Sequence, residues 1–316
     1  MTSKRIIALD IIRGFAICIV AFANLQDAIP IMSEGMPKET HLDHIINVVK
    51  LVAIDGKFIS IFTILFGVGM AIFMRNAESK DLNPIKLMFR RLIFLFVVGI
   101  PLFIFGVPFV FYAVTGLVVM FGFKFKPRWL LLAIAGIALV GYFILFGTRF
   151  NQTGMPPTLS LMLIGYYLGM SGKIYNFKTS QSTYWGLLIV SLLGLALIIS
   201  LYFALPMKWN EFLAYMTPFQ AIAYFILLFI LLKSDLMKKV LMPFKYIGRM
   251  AFTMFTLQII LIEILGRFTG HLMGVQIIIY GVPLITLQLV ISYLWLRYFR
   301  QGPLEKLWRK WTYKNV

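Results

Sequence analysis

The sequence predicts an all-α polytopic membrane protein with about ten transmembrane helices and both termini in the cytoplasm. Three observations predict this fold class. Hydrophobic residues make up 60% of the 316-residue chain, against about 45–50% in soluble domains, and the mean hydropathy is +0.89. The apolar residues form runs of about 20, the length that spans a bilayer as a helix. The 30 lysines and arginines cluster between these runs.

Ten apolar segments are predicted to form the spans. They lie near 8–25, 58–74, 92–106, 107–122, 129–147, 157–172, 184–205, 212–232, 250–266 and 274–297. Each is expected to be a helix, because the bilayer offers the backbone no hydrogen bonds and the runs lack the alternation of a barrel strand. The stretch 92–122 is too long for one upright helix, and Gly99, Pro101, Gly106 and Pro108 interrupt it.

The loop charges favour a helical hairpin at 92–122. With a turn near 105–108, most cationic residues fall on the side of the two termini. The opposite side keeps only Lys38, Lys50, Lys57, Arg149, Lys208 and Arg267. A single span would instead invert every later loop. We therefore predict the hairpin and place both termini in the cytoplasm.

The C-terminal sequence GPLEKLWRKWTYKNV predicts an amphipathic helix at the membrane interface. It alternates Trp308 and Trp311 with cations, a pattern typical of helices on an anionic leaflet. The charge of +18 is thus explained by membrane topology, and no nucleic-acid partner is expected. Cys18 has no second cysteine with which to form a disulfide. Without a repeat or linker, residues 1–316 are expected to form a single membrane domain.

Three polar residues in the first span need an explanation. Asp10 and Arg13 lie three residues apart on one helical face, near the cytoplasmic end, where they can pair while Arg13 extends to the interface. Asn24 lies about 16 Å further along the same helix. An ion pair at the helix end is the structural interpretation; ionisable residues inside membranes also mark functional sites.

Glu263 lies deep in the ninth predicted span, five residues after Gln258. A glutamate in lipid is neutral or paired. One interpretation is a helix–helix hydrogen bond or an ion pair with Arg267, four residues further along. The other is a substrate or proton site. The second predicted span, 58–74, contains the sequence FGVG. Its Gly67 and Gly69 are expected to allow close helix packing.

The loop at 26–50 is the longest and most polar on the predicted outer face. His41 and His44 could share a helical face there and act as an acid–base pair. A solvated loop with incidental histidines is the alternative. No third ligand has a recognisable spacing, so no metal site is predicted.

Several stretches resemble known membrane proteins. RIIALDIIRGFAICIVAFAN is similar to the first span of the transmembrane acyltransferase superfamily, in which LDxxRG is followed, eleven residues after the arginine, by His or Asn. Asp10, Arg13, Gly14 and Asn24 fill this pattern. Asn24 brings the chain closer to the heparan-glucosaminide acetyltransferase type than to the O-acyltransferases of surface sugars.

Four further motifs resemble the YeiB-like bacterial branch of that superfamily. They are GKFISIFTILFGVGMA, FGVPFVFYAVTG, GRMAFTMFTLQ and GPLEKLWRKWTY. Residues 241–316 form a YeiB-like C-terminal region, and 1–240 hold the acyltransferase-like spans. Val107 stands where the family usually has aspartate.

The resemblance implies a membrane-embedded acyltransferase in the bacterial plasma membrane. It would move an acyl group, expected to be acetyl, from cytoplasmic acyl-CoA to a small-molecule or glycan acceptor at the outer face. The basic inner loops suit the polyanionic donor. The implied donor contacts are Arg13, Arg90 and Arg91, with Asp10 orienting Arg13. The implied catalytic residues are Asn24, His41 and His44. Glu263, Gln258 and Tyr112 are the candidate substrate or cavity residues.

Two other functions stay open. A transporter of small molecules or lipids would use helices broken by Gly and Pro around a polar intramembrane cavity. A catalytically inert family member would account for Val107. The lipid bilayer is the expected partner, and the sequence is compatible with a homo-oligomer.

Overall fold

The computed structural model describes residues 6–26, 40–146, 157–175, 180–269 and 272–314, and within these ranges all regular structure is helical. Helices α1 to α14 are Ile7–Asn24, His41–Ala53, Lys57–Glu78, Pro84–Phe103, Phe109–Val119, Leu130–Phe146, Thr158–Met170, Gln181–Ala204, Trp209–Leu231, Asp235–Leu241, Phe244–Arg249, Ala251–Thr269, Val275–Tyr298 and Pro303–Thr312. A short 3-10 helix, Met120–Lys124, follows α5. The predicted all-helical class is confirmed for this part of the chain.

Six segments of the described chain are long and apolar enough to cross a membrane. They are Ile7–Asn24, His41–Glu78, Gln181–Ala204, Trp209–Leu231, Ala251–Thr269 and Val275–Tyr298. Three more apolar helices are shorter, and α4 carries Lys86, Arg90 and Arg91 in its N-terminal half. A membrane protein is thus supported, while the number of ten spans stays a prediction.

Two of the long helices present apolar surface outward. Only 17% of the most apolar stretch of α8 and 22% of that of α13 are buried. Apolar faces this large are stable beside lipid and costly in water. The exposed leucines, isoleucines and valines of α8 and α13 therefore identify lipid-facing sides.

The stretch 92–122 contains two helices with a turn between them. α4 ends at Phe103, α5 begins at Phe109, and Gly106 in the turn has a positive φ of 72°. A Cβ on Gly99 would lie 2.9 Å from the Phe109 Cβ and 3.0 Å from the Val110 nitrogen. Glycine at residue 99 therefore lets the two helices pack closely.

Contacts group the chain into two compact units. Unit 1 contains Met1–Ile6, Ser60–Ile230 and Trp308–Val316, and unit 2 contains Ile7–Ile59 and Leu231–Leu307. Helices α3, α9 and α14 contribute residues to both. The predicted division into 1–240 and 241–316 stays a prediction.

Helix α7 forms the core of unit 1. Every residue from Ser160 to Met170 is buried, which is typical of a helix enclosed on all sides. Ser160 Oγ donates to the Ala135 carbonyl oxygen of α6 at 2.9 Å, so the buried hydroxyl has a partner. Burial of α7 fixes the positions of the helices around it.

Glycines set the crossing of α3 and α7. A Cβ on Gly67 would overlap the Met162 carbonyl oxygen, and a Cβ on Gly165 would overlap the Ile64 carbonyl oxygen. A Cβ on Gly69 would have no described atom within 4 Å. Of the two glycines expected to permit close packing, Gly67 therefore does so and Gly69 does not.

Unit 2 contains a helix where the sequence predicts a loop. α2 begins at His41, although a loop is expected at 26–50, and residues 27–39 lie outside the described part of the chain. Thr40 Oγ1 accepts from the Asp43 nitrogen at 3.2 Å, and the Asp43 carboxylate accepts from the Thr40 nitrogen at 3.1 Å. This reciprocal capping box starts the helix. The loop prediction is therefore wrong from residue 41 onward.

Candidate functional site

The opening motif of α1 holds an ion pair beside a close helix crossing. Arg13 Nη1 lies 3.4 Å from Asp10 Oδ1, the pair expected from their spacing, and Asp10 is buried. The next residue, Gly14, lies where α1 crosses α11. A Cβ on Gly14 would overlap the Phe244 carbonyl oxygen. A Cβ on Gly248 of α11 would overlap the Asp10 carbonyl oxygen. The LDIIRG and GRM motifs therefore meet backbone to backbone.

The two C-terminal motifs are joined by Glu305. Its Oε1 accepts from the nitrogens of Phe252 and Thr253 at 2.8 and 3.1 Å, and its Oε2 accepts from Thr253 Oγ1 at 2.6 Å. Thr253 Oγ1 in turn accepts from the Leu304 nitrogen at 3.1 Å. A carboxylate at a helix N-terminus satisfies free N–H groups and complements the helix dipole. Glu305 thus caps α12 and fixes the GPLE sequence against GRMAFT.

Two buried glutamines connect helices α1, α12 and α13. Gln258 Nε2 donates to the Ile17 carbonyl oxygen and to Gln288 Oε1, both at 3.1 Å. Gln288 Nε2 donates to the Met254 carbonyl oxygen at 2.9 Å. Side-chain bonds of this kind hold membrane helices together. They give Gln258 a structural role, and its contact with a substrate stays a prediction.

An apolar cluster surrounds the C-terminal end of α1. It consists of Ala21, Leu25, Ile262, Leu272, Ile277 and Leu284. Asn24 and Glu263 are adjacent in sequence to members of this cluster, so both lie at the same end of unit 2. Asn24 Nδ2 is buried without a hydrogen-bond partner among the described residues. Glu263 is half-buried, and the ion pair considered with Arg267 is not formed.

The first turns of α2 cap helix α13. Asp43 Oδ1 accepts from the Val275 nitrogen at 2.9 Å, and Asn47 Oδ1 accepts from the Gly274 nitrogen at 3.1 Å. Two polar side chains thereby satisfy N–H groups at the start of an apolar helix. This contact brings the beginning of α2 to the same end of unit 2 as the apolar cluster.

The two predicted histidines lie on that first turn of α2. His41 and His44 are three residues apart in one helix, and both are exposed. They therefore lie at the same end of unit 2 as Asn24 and Glu263. Imidazole can accept a proton near neutral pH, and an asparagine amide can orient a carbonyl or hydroxyl group.

The predicted donor contacts Arg90 and Arg91 lie in unit 1 and bind the C-terminal helix. Arg90 Nη1 donates to the Lys314 carbonyl oxygen at 2.6 Å, and Trp311 Nε1 donates to the Arg90 carbonyl oxygen at 3.1 Å. The Arg91 guanidinium carbon lies 3.9 Å from the centre of the Trp308 ring. This cation–π geometry fixes part of α14 against α4.

Tyr112 lies in the packed interior of unit 1. Its hydroxyl accepts from Thr63 Oγ1 at 2.9 Å, and its ring lies 5.4 Å from that of Phe66. These contacts join the FGVPFVFYAVTG motif to the GKF motif. A substrate contact of Tyr112 stays a prediction.

Within the described residues, no group of three or more His, Cys, Asp and Glu residues could hold a metal ion. The ionic groups at the N-terminal end of α1 are suited to binding an anion. The amide, imidazole and carboxyl groups at its C-terminal end are suited to positioning and deprotonating an acceptor.

Sequence reasoning missed the interactions of Glu305, Asp43 and Asn47, since their partners are more than 50 residues distant in the chain. It also missed the cluster that the buried Lys50 and Lys57 form with the half-buried Asp55. The available signal was the presence of charged residues inside an otherwise apolar stretch.

Comparison with protein families supports part of the sequence interpretation. Residues 170–315 match DUF418, a family described as proteins of unknown function. An uncharacterized 39.9 kDa protein from the amylase 3′ region of Bacillus acidopullulyticus is 28% identical and aligns over 99% of this chain and 95% of its own length. No solved structure matches the chain significantly.

Two further relatives carry names but no stated activity. The uncharacterized protein YxaH of Bacillus subtilis strain 168 is 26% identical over 99% of this chain and 95% of its own length. The uncharacterized protein YeiB of Escherichia coli K12 is 34% identical over 33% of this chain and 29% of its own length. The similarity to YeiB indicated by the motifs is therefore supported, while the link to the acyltransferase superfamily stays a prediction.

Proposed function

We propose that this protein is a membrane-embedded acyltransferase of bacteria, which moves an acyl group from cytoplasmic acyl-CoA to an acceptor at the outer face. One observation carries the proposal. Helix α1 holds the Asp10–Arg13 ion pair at one end and, at the other, an Asn24 amide nitrogen that is buried without a described hydrogen-bond partner. A single helix thus offers polar groups toward both membrane surfaces.

The proposal includes a membrane topology. Ten spans cross the plasma membrane, 92–122 forms a membrane hairpin, and both termini are cytoplasmic. Arg13 then lies at the cytoplasmic side, while Asn24, His41, His44 and Glu263 lie at the outer side. The excess of cations on one side of the predicted spans supports this orientation.

On the donor side, Arg13 binds a phosphate of acyl-CoA. Its side chain is 23% exposed and Asp10 orients it, and a guanidinium matches the geometry of a phosphate group. Arg90 and Arg91 already contact the C-terminal segment within unit 1, so both are held by protein groups. Binding would therefore need Arg13 more than either of the other two arginines.

On the acceptor side, His41 or His44 takes the proton of the acceptor hydroxyl or amine. The acceptor atom then attacks the acyl carbonyl, the carbon–sulfur bond of the thioester breaks, and the CoA thiolate leaves. Asn24 orients the acyl carbonyl or the acceptor. The acceptor is a small molecule or a glycan.

The proposal is tested by binding of labelled acetyl-CoA to the purified protein in neutral detergent. We expect saturable binding that Arg13→Ala weakens at least about tenfold, since a charged hydrogen bond contributes roughly 1.5–3 kcal/mol. Arg297→Ala removes an exposed arginine of α13 and should leave binding unchanged. Absence of binding at high protein concentration, or equal binding by both variants, contradicts the proposal.

One observation favours transport as a second candidate function. The apolar stretch His41–Glu78 is broken between α2 and α3, and such breaks form substrate sites in many transporters. A transporter would need no acyl-CoA and should lose function in Glu263→Gln. Uptake into vesicles that contain no acyl-CoA distinguishes the two functions.

A further inference from the structure

The break between α2 and α3 encloses charged side chains. α2 ends at Ala53, α3 begins at Lys57, and Gly56 between them has a positive φ of 77°. The turn backbone is largely satisfied: the nitrogens of Ile54 and Asp55 donate to the Lys50 carbonyl oxygen at 2.8 and 3.0 Å. The break is therefore a defined turn inside an apolar stretch.

This turn lies beside the middle of α1. The ring centres of Phe58, in the first turn of α3, and Phe15 are 6.0 Å apart. Phe15 is the ninth of the 18 residues of Ile7–Asn24. If α1 spans the bilayer, the turn lies at the depth of its centre, where charged groups are most costly.

Three ionisable residues meet at the turn. Lys50 Nζ lies 2.6 Å from Asp55 Oδ2, and Lys57 Nζ donates to the Leu51 carbonyl oxygen at 2.8 Å. Lys50 is 7% exposed and Lys57 is 1% exposed. The charges of both Asp55 and Lys50 act on Lys57. Two ammonium groups and one carboxylate leave one positive charge in excess.

The lysines retain hydrogen-bonding capacity. An ammonium group has three N–H donors, and each lysine uses one of them on a described residue. A buried positive charge without a counterion is unfavourable by several kcal/mol. An oxyanion would neutralise the excess charge and accept the remaining N–H bonds, and the N-terminus of α3 would add favourable partial charge.

We propose that Lys50 and Lys57 form a binding site for an oxyanion, the phosphate or carboxylate group of a soluble molecule or of a lipid headgroup. Asp55 orients Lys50 and limits the net charge of the empty site. The site goes beyond the proposed acyl transfer and does not depend on it.

The test uses the full-length protein in neutral detergent without acyl-CoA, with inorganic phosphate or acetate replacing chloride at constant ionic strength. Phosphate also stabilises proteins in general, so the readout is the saturable rise in the unfolding midpoint, checked by equilibrium dialysis of labelled phosphate. We expect Lys57→Met to weaken binding at least about tenfold. Lys208→Met, which removes an exposed lysine, should leave it unchanged.

A second variant keeps the test decisive if Lys57→Met does not fold. Asp55→Asn retains both cations and removes the competing carboxylate, so it should bind phosphate several-fold more tightly. Unchanged or weaker binding by Asp55→Asn, or no saturable effect of either oxyanion on the wild type, overturns the proposal. Retained phosphate binding in Arg13→Ala separates this site from the donor site.

The source of the oxyanion is identified in nanodiscs. Competition of phosphatidylglycerol with labelled phosphate, relative to phosphatidylcholine alone, assigns the site to a lipid headgroup. Phosphate binding that is equal in both nanodiscs assigns it to a soluble molecule. Both results support the oxyanion site.

Discussion

Glu305 shows how one side chain can organise a helix end. Its carboxylate accepts three hydrogen bonds from Phe252 and Thr253. The sequence places Glu305 in the tetrapeptide GPLE, but spacing alone gives no information on a partner 52 residues away. The Asp10–Arg13 pair could be predicted because helical geometry fixes neighbours three residues apart.

Replacing Glu305 by alanine should destabilise the protein by about 1.5–3 kcal/mol, because a charged acceptor of buried N–H groups is lost. Glu305→Gln keeps one acceptor oxygen and should cost less. Thermal unfolding in detergent measures both effects. Glu78→Ala, at an exposed glutamate of α3, is the matched control. A Glu305→Ala variant as stable as this control would show that the cap contributes nothing.

Gln258 and Gln288 should behave as a coupled pair. Each single change to leucine leaves a buried polar group without its partner, and we expect a loss of about 0.5–2 kcal/mol. The double variant removes both groups, so its loss should be smaller than the sum of the two single losses. Unfolding midpoints of the four proteins provide the measurement. Additive losses would contradict the coupling.

At the scale of helices, hydrophobic runs predicted most long elements within a few residues. The predicted segments 184–205 and 274–297 correspond to Gln181–Ala204 and Val275–Tyr298. α2 was missed because its apolar face alternates with polar residues that cap α13, and a hydropathy run does not detect such a helix. The short helices α10 and α11 were missed because neither is long enough to form an apolar run.

The close crossing of α3 and α7 predicts different effects for changes at Gly67 and Gly69. Gly67→Ala forces α3 away from α7 and should destabilise the protein by about 1–3 kcal/mol. Gly69→Ala meets no described atom within 4 Å and should be neutral or stabilise α3 by roughly 0.5–1 kcal/mol. Folded yield and unfolding midpoint are the readouts. Equal shifts of the unfolding midpoint by the two changes would show that the crossing of α3 and α7 does not cause the destabilisation.

At the scale of the whole molecule, composition and charge predicted the membrane class. The chemistry of the sites is harder to predict from the sequence. Hydropathy and charge place Lys50 and Lys57 in loops, whereas the structure buries both at a helix break. Their role depends on tertiary packing, which neither hydropathy nor loop charge encodes. The orientation of the chain is open to a direct experiment.

The topology predicts which introduced cysteines react from outside the cell. Cys18 is the single cysteine of the sequence, so Cys18→Ser provides a background without reactive thiols. An impermeant maleimide should label Lys208→Cys in intact cells and label Lys306→Cys only after permeabilisation; both lysines are exposed. Labelling of Lys306→Cys in intact cells would place the C-terminal helix at the outer face and contradict the predicted topology.

The cap formed by Glu305 also imposes an order on biosynthesis. Thr253 leaves the ribosome 52 residues before Glu305, a delay of roughly 3 to 10 s at bacterial and eukaryotic synthesis rates. During this interval the first amide groups of α12 lack their carboxylate partner. The N-terminal cap of α12 is therefore completed only after the downstream segment has been translated.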